Sequence, residues 1–319
     1  MKKVFILMKS FARVAGTLAA ISGLVAVAAL PKYVRAQQMQ AGASGRGGDS
    51  LGDLRFRNLG PAVAGGRVAA VAGVPGNSNV IYVGAAGGGV WKSTDGGISW
   101  RAISDGMPTA SIGAIALAPQ NPNWIWVGTG EGNPRNDVLT GHGVFFSSDG
   151  GASWKAMGLE TTGQIPVVLI SPADANTVYV ASIGHAWGPN ADRGVFRTTD
   201  GGKSWQKVLY LNDTTGASDL VMDPQNPKVL YAGMWQVTRH PWILESGGPS
   251  SGIYRSTDGG DTWQKLTVGF PAGLMGRIGL AIAPSNPSHI YALVESKNGV
   301  LWESRDGGNH SAPAREKVV

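Results

Sequence analysis

The chain of 319 residues contains no cysteine. That excludes a disulfide framework, a thiol nucleophile and a cysteine-linked lipid anchor. Charged residues make up only 15% of the chain, and no acid precedes Asp49. The five histidines (His142, His185, His240, His289 and His310) are too scattered to form a metal-ligand motif. No glycine-rich stretch ends in Gly-Lys-Ser/Thr, which argues against a phosphate cradle. Asp213–Asp219 does not match a calcium-binding loop and reads equally as a turn between repeats. No metal and no cofactor is expected.

The formal charge of +6 is concentrated at one end. Lys2, Lys3, Lys9, Arg13, Lys32 and Arg35 all fall within residues 1–36. Without them the 27 basic residues become 21, equal to the 21 acids. The remainder is neutral, so the composition gives no case for nucleic-acid binding. Residues 1–36 have the order of an export signal: a basic start, an apolar Ala-rich run from Val14 to Leu30, and Val34-Arg35-Ala36 as a cleavage site. This predicts an exported protein, periplasmic or extracellular, with no stable membrane anchor after cleavage. Residues 37–50, rich in Gln, Gly, Ser and Ala, read as a disordered spacer.

What the chain has in quantity is glycine, 48 residues, and tryptophan, 11 residues, and both fall into a repeat. Ser93-Thr-Asp95-Gly-Gly-Ile-Ser-Trp100 recurs as Ser147-Ser-Asp149-Gly-Gly-Ala-Ser-Trp154, Thr198-Thr-Asp200-Gly-Gly-Lys-Ser-Trp205 and Ser256-Thr-Asp258-Gly-Gly-Asp-Thr-Trp263. A fifth copy, Ser304-Arg-Asp306-Gly-Gly-Asn-His-Ser311, has lost its Trp. The aspartates lie 54, 51, 58 and 48 residues apart. Each unit also carries an apolar run ended by proline, a second run such as Val80-Ile-Tyr-Val-Gly84, and a third led by glycine, such as Gly89-Val-Trp-Lys92. Proline stops the first run because it cannot donate to a strand ladder. Short β-branched and aromatic runs at this period predict one four-stranded blade per repeat and an all-β propeller.

Within each box the Asp is expected to accept backbone N–H groups two residues on. The glycines supply positive φ, and the Trp covers the turn. Identical groups in every blade are structural latches: Asp95, Trp100, Asp149, Trp154, Asp200, Trp205, Asp258, Trp263 and Asp306.

These boxes resemble the Asp-box (BNR) repeat. The strand pattern with Asn-Pro-x-x-Ile-Tyr-Val-Gly is similar to YVTN/BNR-like propellers: the sortilin N-terminal domain, glycoside hydrolase family 74 xyloglucanases and photosystem II assembly factors. The resemblance covers residues 51–308 and implies a propeller more firmly than an activity. In xyloglucanase-type enzymes the cleft lies between two propellers, each supplying an acid. With one propeller's repeats here, no catalytic residue is carried over. A sialidase likeness fares worse. Arg67 and Arg277 follow glycines at the starts of inner strands, but an Arg-Ile-Pro motif and an assignable nucleophilic Tyr are missing.

Ser311–Val319 is polar, so 309–319 reads as an irregular tail. The expected architecture is therefore four complete blades and one partial, with an incomplete ring. Such a ring would close by a second propeller or by self-association, since open sheet edges are sticky. A fragment of a longer protein is the expectation that follows.

The connections between second and third strands are long in three blades: Thr129–His142, Ser182–Arg193 and Trp235–Ser251. They hold the acid candidates Glu131, Asp137 and Glu245, and the ligand-binding candidates Asn133, Arg135, His185, Trp187, Arg239, His240 and Trp242. Long loops on a rigid scaffold are where binding residues gather. Exposed Trp beside carboxylates suits a polysaccharide or a protein ligand. The alternative is that Trp187 and Trp242 only pack the loops onto the propeller. The leading expectation is a non-catalytic, sortilin-like protein- or glycan-binding scaffold. The second is the N-terminal part of a xyloglucanase-type glycoside hydrolase using paired carboxylates.

Overall fold

The computed structural model describes residues 67–271, 273–298 and 300–314. The expected export signal, the spacer, the last five residues of the tail and Gly299 lie outside the described residues. Among the described residues every regular element is a strand, and no helix is long and apolar enough to cross a membrane.

Five antiparallel sheets follow one another along the chain. The first holds β1 (Val68–Val74), β2 (Asn77–Ala85), β3 (Gly89–Ser93) and β4 (Arg101–Ala102). The second holds β5 (Ile112–Ala118), β6 (Asn121–Thr129), β7 (Val144–Ser147) and β8 (Lys155–Ala156). The third holds β9 (Val167–Ile170), β10 (Val178–Ser182), β11 (Gly194–Thr198) and β12 (Gln206–Leu209). The fourth holds β13 (Thr215–Met222), β14 (Leu230–Arg239), β16 (Gly252–Ser256) and β17 (Gln264–Leu266), with β15 (Leu244–Ser246) paired to the far end of β14. The fifth holds β18 (Ile278–Ala283), β19 (Asn286–Val294), β20 (Leu301–Ser304) and β21 (Ala312–Pro313). Each is a propeller blade. The first strands of successive blades, β1, β5, β9, β13 and β18, pack side by side as the inner strands.

Two details of the strands differ from the sequence reading. Residues 312–313, inside the segment read as irregular tail, pair with Glu303 and Trp302. The fifth blade therefore has a short fourth strand without a Trp to anchor it. In blades one, two and five the second strand also begins earlier than the apolar run. Ala118 pairs with Asn121 across a two-residue turn, so the polar Asn-Pro segment is already in β6.

The Asp box works by a different hydrogen-bond path from the one expected. In the second blade Ser147 donates its hydroxyl to Asp149 Oδ1 at 2.8 Å and accepts the Gly151 N–H at 2.8 Å. Asp149 then accepts the Ser153 N–H at 2.9 Å and its hydroxyl at 2.6 Å. The Asp thus reaches four residues on, and the leading Ser takes the glycine N–H. Both box glycines need positive φ (70° and 90° at Gly150 and Gly151), which side chains resist. In the fifth box His310 replaces the last Ser and keeps both bonds, N–H at 2.9 Å and Nδ1 at 2.6 Å from Asp306.

The box Trp does more than cover its own turn. Trp154 donates its indole N–H to Ile103 O at 2.6 Å, and Trp205 donates to Met157 O at 2.7 Å. Each bond crosses to the preceding blade. Trp100 and Trp263 bond their own box glycines, at 2.9 and 3.0 Å. The core accordingly lies between blades as well as within them. One cluster joins Trp126, Met157, Val178, Val180 and Phe196, with Trp205 packed on it.

Candidate functional site

The loops between second and third strands share one end of the propeller with the connections between blades. Gly141 N–H bonds Gly163 O, and Gly130 N–H bonds Ser111 O. The Asp boxes pair with the opposite turns, as in Gly96 N–H to Asn79 O. The long loops therefore face away from the boxes, as the alternation of strand direction within a blade implies.

On the loop side, two arginines at the starts of inner strands meet the second blade's loop. Arg67, just before β1, grips Glu131 with Nε at 3.0 Å from Oε1 and Nη2 on Oε2. It also reaches Asp137 Oδ2 at 3.5 Å. The hydrogen bond to Glu131 raises the Arg67 pKa. Glu131 is only 1% exposed, and its backbone N–H is held by Ser111 Oγ at 3.2 Å. Its oxygens are both occupied, which leaves it no free face for a substrate. Asp137 stays open, with Arg135 Nε 3.9 Å from its other oxygen. Thus Glu131, Asp137 and Arg135 come together, with Arg67 at the centre.

Arg277, just before β18, donates to Asn133 Oδ1 and lies 5.6 Å above the Trp235 ring. Its backbone N–H is accepted by Glu295 Oε2 at 2.9 Å, and the same oxygen accepts Ser246 Oγ–H at 2.6 Å. Trp235 donates to Ser246 Oγ at 2.9 Å. Blades two, four and five are thereby tied together. Burial lowers the Arg277 pKa, against the raising influence of Asp219, Glu131 and Glu295. Asp219 accepts the N–H groups of Leu280 (2.7 Å) and Leu220 (2.8 Å), so it fastens β13 to β18. Burial raises its pKa.

The remaining candidates gather between blades three and four. Trp235 is buried, because β14 runs on to Arg239 and turns back as β15, making a hairpin out of the fourth blade's loop. This hairpin packs Trp235, Val237 and Leu244 on Ile183. Its Arg239 N–H bonds Ala186 O at 2.7 Å, joining it to the third blade's loop. Arg193, fully buried, donates to Thr214 O (3.1 Å), His185 O (3.3 Å) and Gly188 O (3.1 Å). Asn190 Nδ2 bonds the same His185 and Gly188 carbonyls, both at 2.9 Å. Burial brings the Arg193 pKa down to about 10. These two side chains fix the loop that carries Trp187.

Trp187 is 42% exposed and Trp242, at the hairpin tip, is 81% exposed. His240 stacks on Trp242 at 5.5 Å and 16°, and its Nε2 lies 3.4 Å from Glu245 Oε1. The loop-packing role expected as the alternative for these two Trp falls to Trp235 instead. Two aromatic faces on touching loops can stack on planar or sugar-like ligands, with Asp137 and Glu245 as open carboxylates. Among the described residues no group of three or more His, Asp or Glu is arranged to hold a metal.

Sequence reasoning singled out Arg67 and Arg277 by position but gave them no partner, and it missed Glu295, Asn190's partner Arg193 and the structural use of Asp219. The shared place of the two arginines, one residue before an inner strand, was the available signal. Glu295 and Arg193 carried none.

The fold and its boxes define an Asp-box β-propeller. A family model described as BNR/Asp-box repeat matches residues 196–207 and 254–265. The chain is similar to a xyloglucanase of Hypocrea jecorina (strain QM6a), 31% identical over 182 residues, covering 54% of this chain and 19% of the relative. A Paenibacillus sp xyloglucanase is 32% identical over 156 residues, covering 46% and 14%. Among solved structures, an ancestral GH74 enzyme superposes with a TM-score of 0.58 at 26% identity, over 75% of this chain and 29% of that one. The GH74 xyloglucanase of Xanthomonas campestris superposes with a TM-score of 0.58 at 18% identity, over 79% and 39%, a likeness of fold. The chain thus spans less than a fifth of the length of these two curated relatives. The similarity runs to xyloglucanases, and the sortilin-like, non-catalytic scaffold expected first gains no support from it.

Proposed function

We propose that this chain is the glycan-binding propeller of an exported, xyloglucanase-type glycoside hydrolase, and that it takes a β-glucan chain across its long-loop end. The observation that carries this reading is the pair of solvent-facing indoles, Trp187 and Trp242, on touching loops of a chain similar to xyloglucanases. Glucan rings present apolar faces that stack on indoles, while their hydroxyls suit Asn133, Arg135 and the open carboxylates. In this reading Asp137 is the acid that the propeller offers to the scissile bond, because Glu131 is spent on Arg67. Its partner acid is Glu245 or comes from outside this chain. No nucleic acid and no cofactor take part.

The test is calorimetric titration of the chain with a xyloglucan heptasaccharide, alongside reducing-end release from polymeric xyloglucan. Binding that weakens about tenfold in Trp242→Ala, one stacking contact's worth, supports the reading. Absence of binding to any β-glucan, or affinity unchanged in both Trp187→Ala and Trp242→Ala, overturns it. Turnover lost in Asp137→Asn with binding intact would assign the acid role.

A further inference from the structure

The acid loop with Asp137 belongs to blade two, and the hairpin with Trp242 at its tip belongs to blade four. One side chain from blade five touches both elements. Arg277, just before β18, donates through Nη1 to Asn133 Oδ1 in the acid loop. Its guanidinium also lies 5.6 Å from the centre of the Trp235 ring. Trp235 forms the base of the hairpin, where it is 2% exposed and packs with Val237 and Leu244. A cation over an indole face is attracted by the ring quadrupole, and more strongly where water is excluded.

The backbone of Arg277 is tied to the same hairpin by a closed circuit. The Trp235 indole N–H bonds Ser246 Oγ (2.9 Å), and Ser246 donates its hydroxyl to Glu295 Oε2 (2.6 Å). That oxygen accepts the Arg277 N–H at 2.9 Å, and the Glu295 N–H returns a bond to Arg277 O at 2.9 Å. Gly276 makes room for the carboxylate, since a Cβ there would collide with Glu295 Oε2. Arg67 meanwhile grips Glu131, two residues before Asn133. The acid loop is thus held by two guanidiniums, and the one at Arg277 leads on to the hairpin.

We propose that Arg277 is a positioning residue. It fixes the spacing between the Asp137 loop and the Trp242 hairpin, and so sets how a glucan chain stacked on the indole is offered to the acid. This role takes its consequence from the glycan reading and its geometry from the circuit. A site held at a preset spacing loses less affinity to loop ordering, and a misplacement of about 1 Å is felt in turnover.

The chain lacks cysteine, so nitroxide labels at Asn136→Cys and Ile243→Cys report on the two elements alone. Pulsed EPR on the full chain should give a single narrow distance distribution. Arg277→Met should lose it, and Arg277→Lys, which keeps a cation over the ring, should restore it. Calorimetry with the xyloglucan heptasaccharide should show affinity about fivefold weaker in Arg277→Met and within about twofold of wild type in Arg277→Lys. A folded Arg277→Met that keeps the wild-type distribution overturns the proposal, as does an Arg277→Lys as broad as Arg277→Met. If Arg277→Met does not fold, Gly276→Ala decides, because it displaces Glu295 and leaves Arg277 in place. Broadening there supports the role, and an unchanged distribution overturns it. Absence of glycan binding in the wild type would sink the functional reading alone, since the distance distributions need no sugar.

Discussion

Tyr179 on β10 donates its hydroxyl across a blade seam to the carbonyl of Gly259, at 2.7 Å. Arg197 on β11 donates to the same oxygen at 2.8 Å. The arrangement recurs. Tyr231 and Arg255 both reach Gly307 O (2.9 and 2.7 Å), and Tyr82 and Lys92 both reach Gly150 O (3.5 and 2.9 Å). The seam between blades two and three has no such pair. There Trp126 and Trp205 meet edge to face at 6.1 Å. The Asp-box turn therefore doubles as a socket: its carbonyl, turned outward by the positive-φ glycines, is where the preceding blade attaches.

Removing the Tyr179 hydroxyl leaves Arg197 on the carbonyl, so the loss should be that of one ordinary hydrogen bond. Tyr179→Phe is expected to cost about 1 kcal/mol in urea unfolding, and Arg197→Ala combined with it should cost more than the two singles predict. An additive double mutant would show that the two donors do not share one acceptor energetically. Burial also raises the pKa of Tyr179 and Tyr231 above the ordinary 10.0. Unfolded tyrosines then lose their protons first. Stability is fully present below pH 10 and falls as pH rises through the folded values, and Tyr179→Phe should flatten that fall.

Trp154 spans two blades with an indole bond to Ile103 O and packs on the cluster of Tyr82, Ile125 and Val127. Trp154→Ala should cost about 3 kcal/mol, the range for truncating a large aromatic in a core. Asp149→Ala, which loosens only a surface turn, should lower the Tm by much less. Equal melting temperatures for wild type and Trp154→Ala would remove the indole as a seam element.

The boxes also set the acid limit. Hydrogen bonds from Ser99, hydroxyl first, lower the Asp95 pKa to about 2, and the His310 N–H does most to bring Asp306 to about 2. Asp149, Asp200 and Asp258 are held lower still by the same pattern. A depressed carboxylate contributes stability above its unfolded value of 3.8, and loses it as pH falls toward the folded value. Urea midpoints should thus hold above pH 4 and drop between pH 4 and 2. In Asp149→Asn that drop should be shallower, and an unchanged profile would place the acid sensitivity outside the boxes.

The repeat made the blades legible because every unit repeats the same turn chemistry and apolar runs, and local pattern is what a sequence displays. The side on which the long loops lie followed from strand alternation alone. What stayed hidden was contact between distant segments. Nothing local to Arg67 says that it meets Glu131, 64 residues on, or that Arg277 reaches Asn133, 144 residues back. Glu131 read as a free acid because its spacing to a cation in another blade cannot be counted along the chain. Trp235 and Trp242 looked equivalent within one loop, yet the hairpin of β14 and β15 buries the first and exposes the second. The fourth strand of the last blade was masked because Ser311 holds it by backbone-like bonds where an indole would have announced it.

Glu131 offers a direct check on how the site is wired. Its carboxylate is buried against a single guanidinium that is itself about a third exposed, 2% against 31% of the side chains. Arg67→Ala leaves a desolvated charge with no partner and should cost about 3 kcal/mol, whereas Glu131→Gln keeps shape and one of the two hydrogen bonds and leaves no buried charge unpaired, and should cost less. If the pair only braces the loop, glycan affinity in Glu131→Gln should stay within about twofold of wild type, while Asp137→Asn changes turnover. Turnover that is abolished in Glu131→Gln with affinity and Tm unchanged would reverse the assignment, making the gripped acid the reacting one and Asp137 its neighbour.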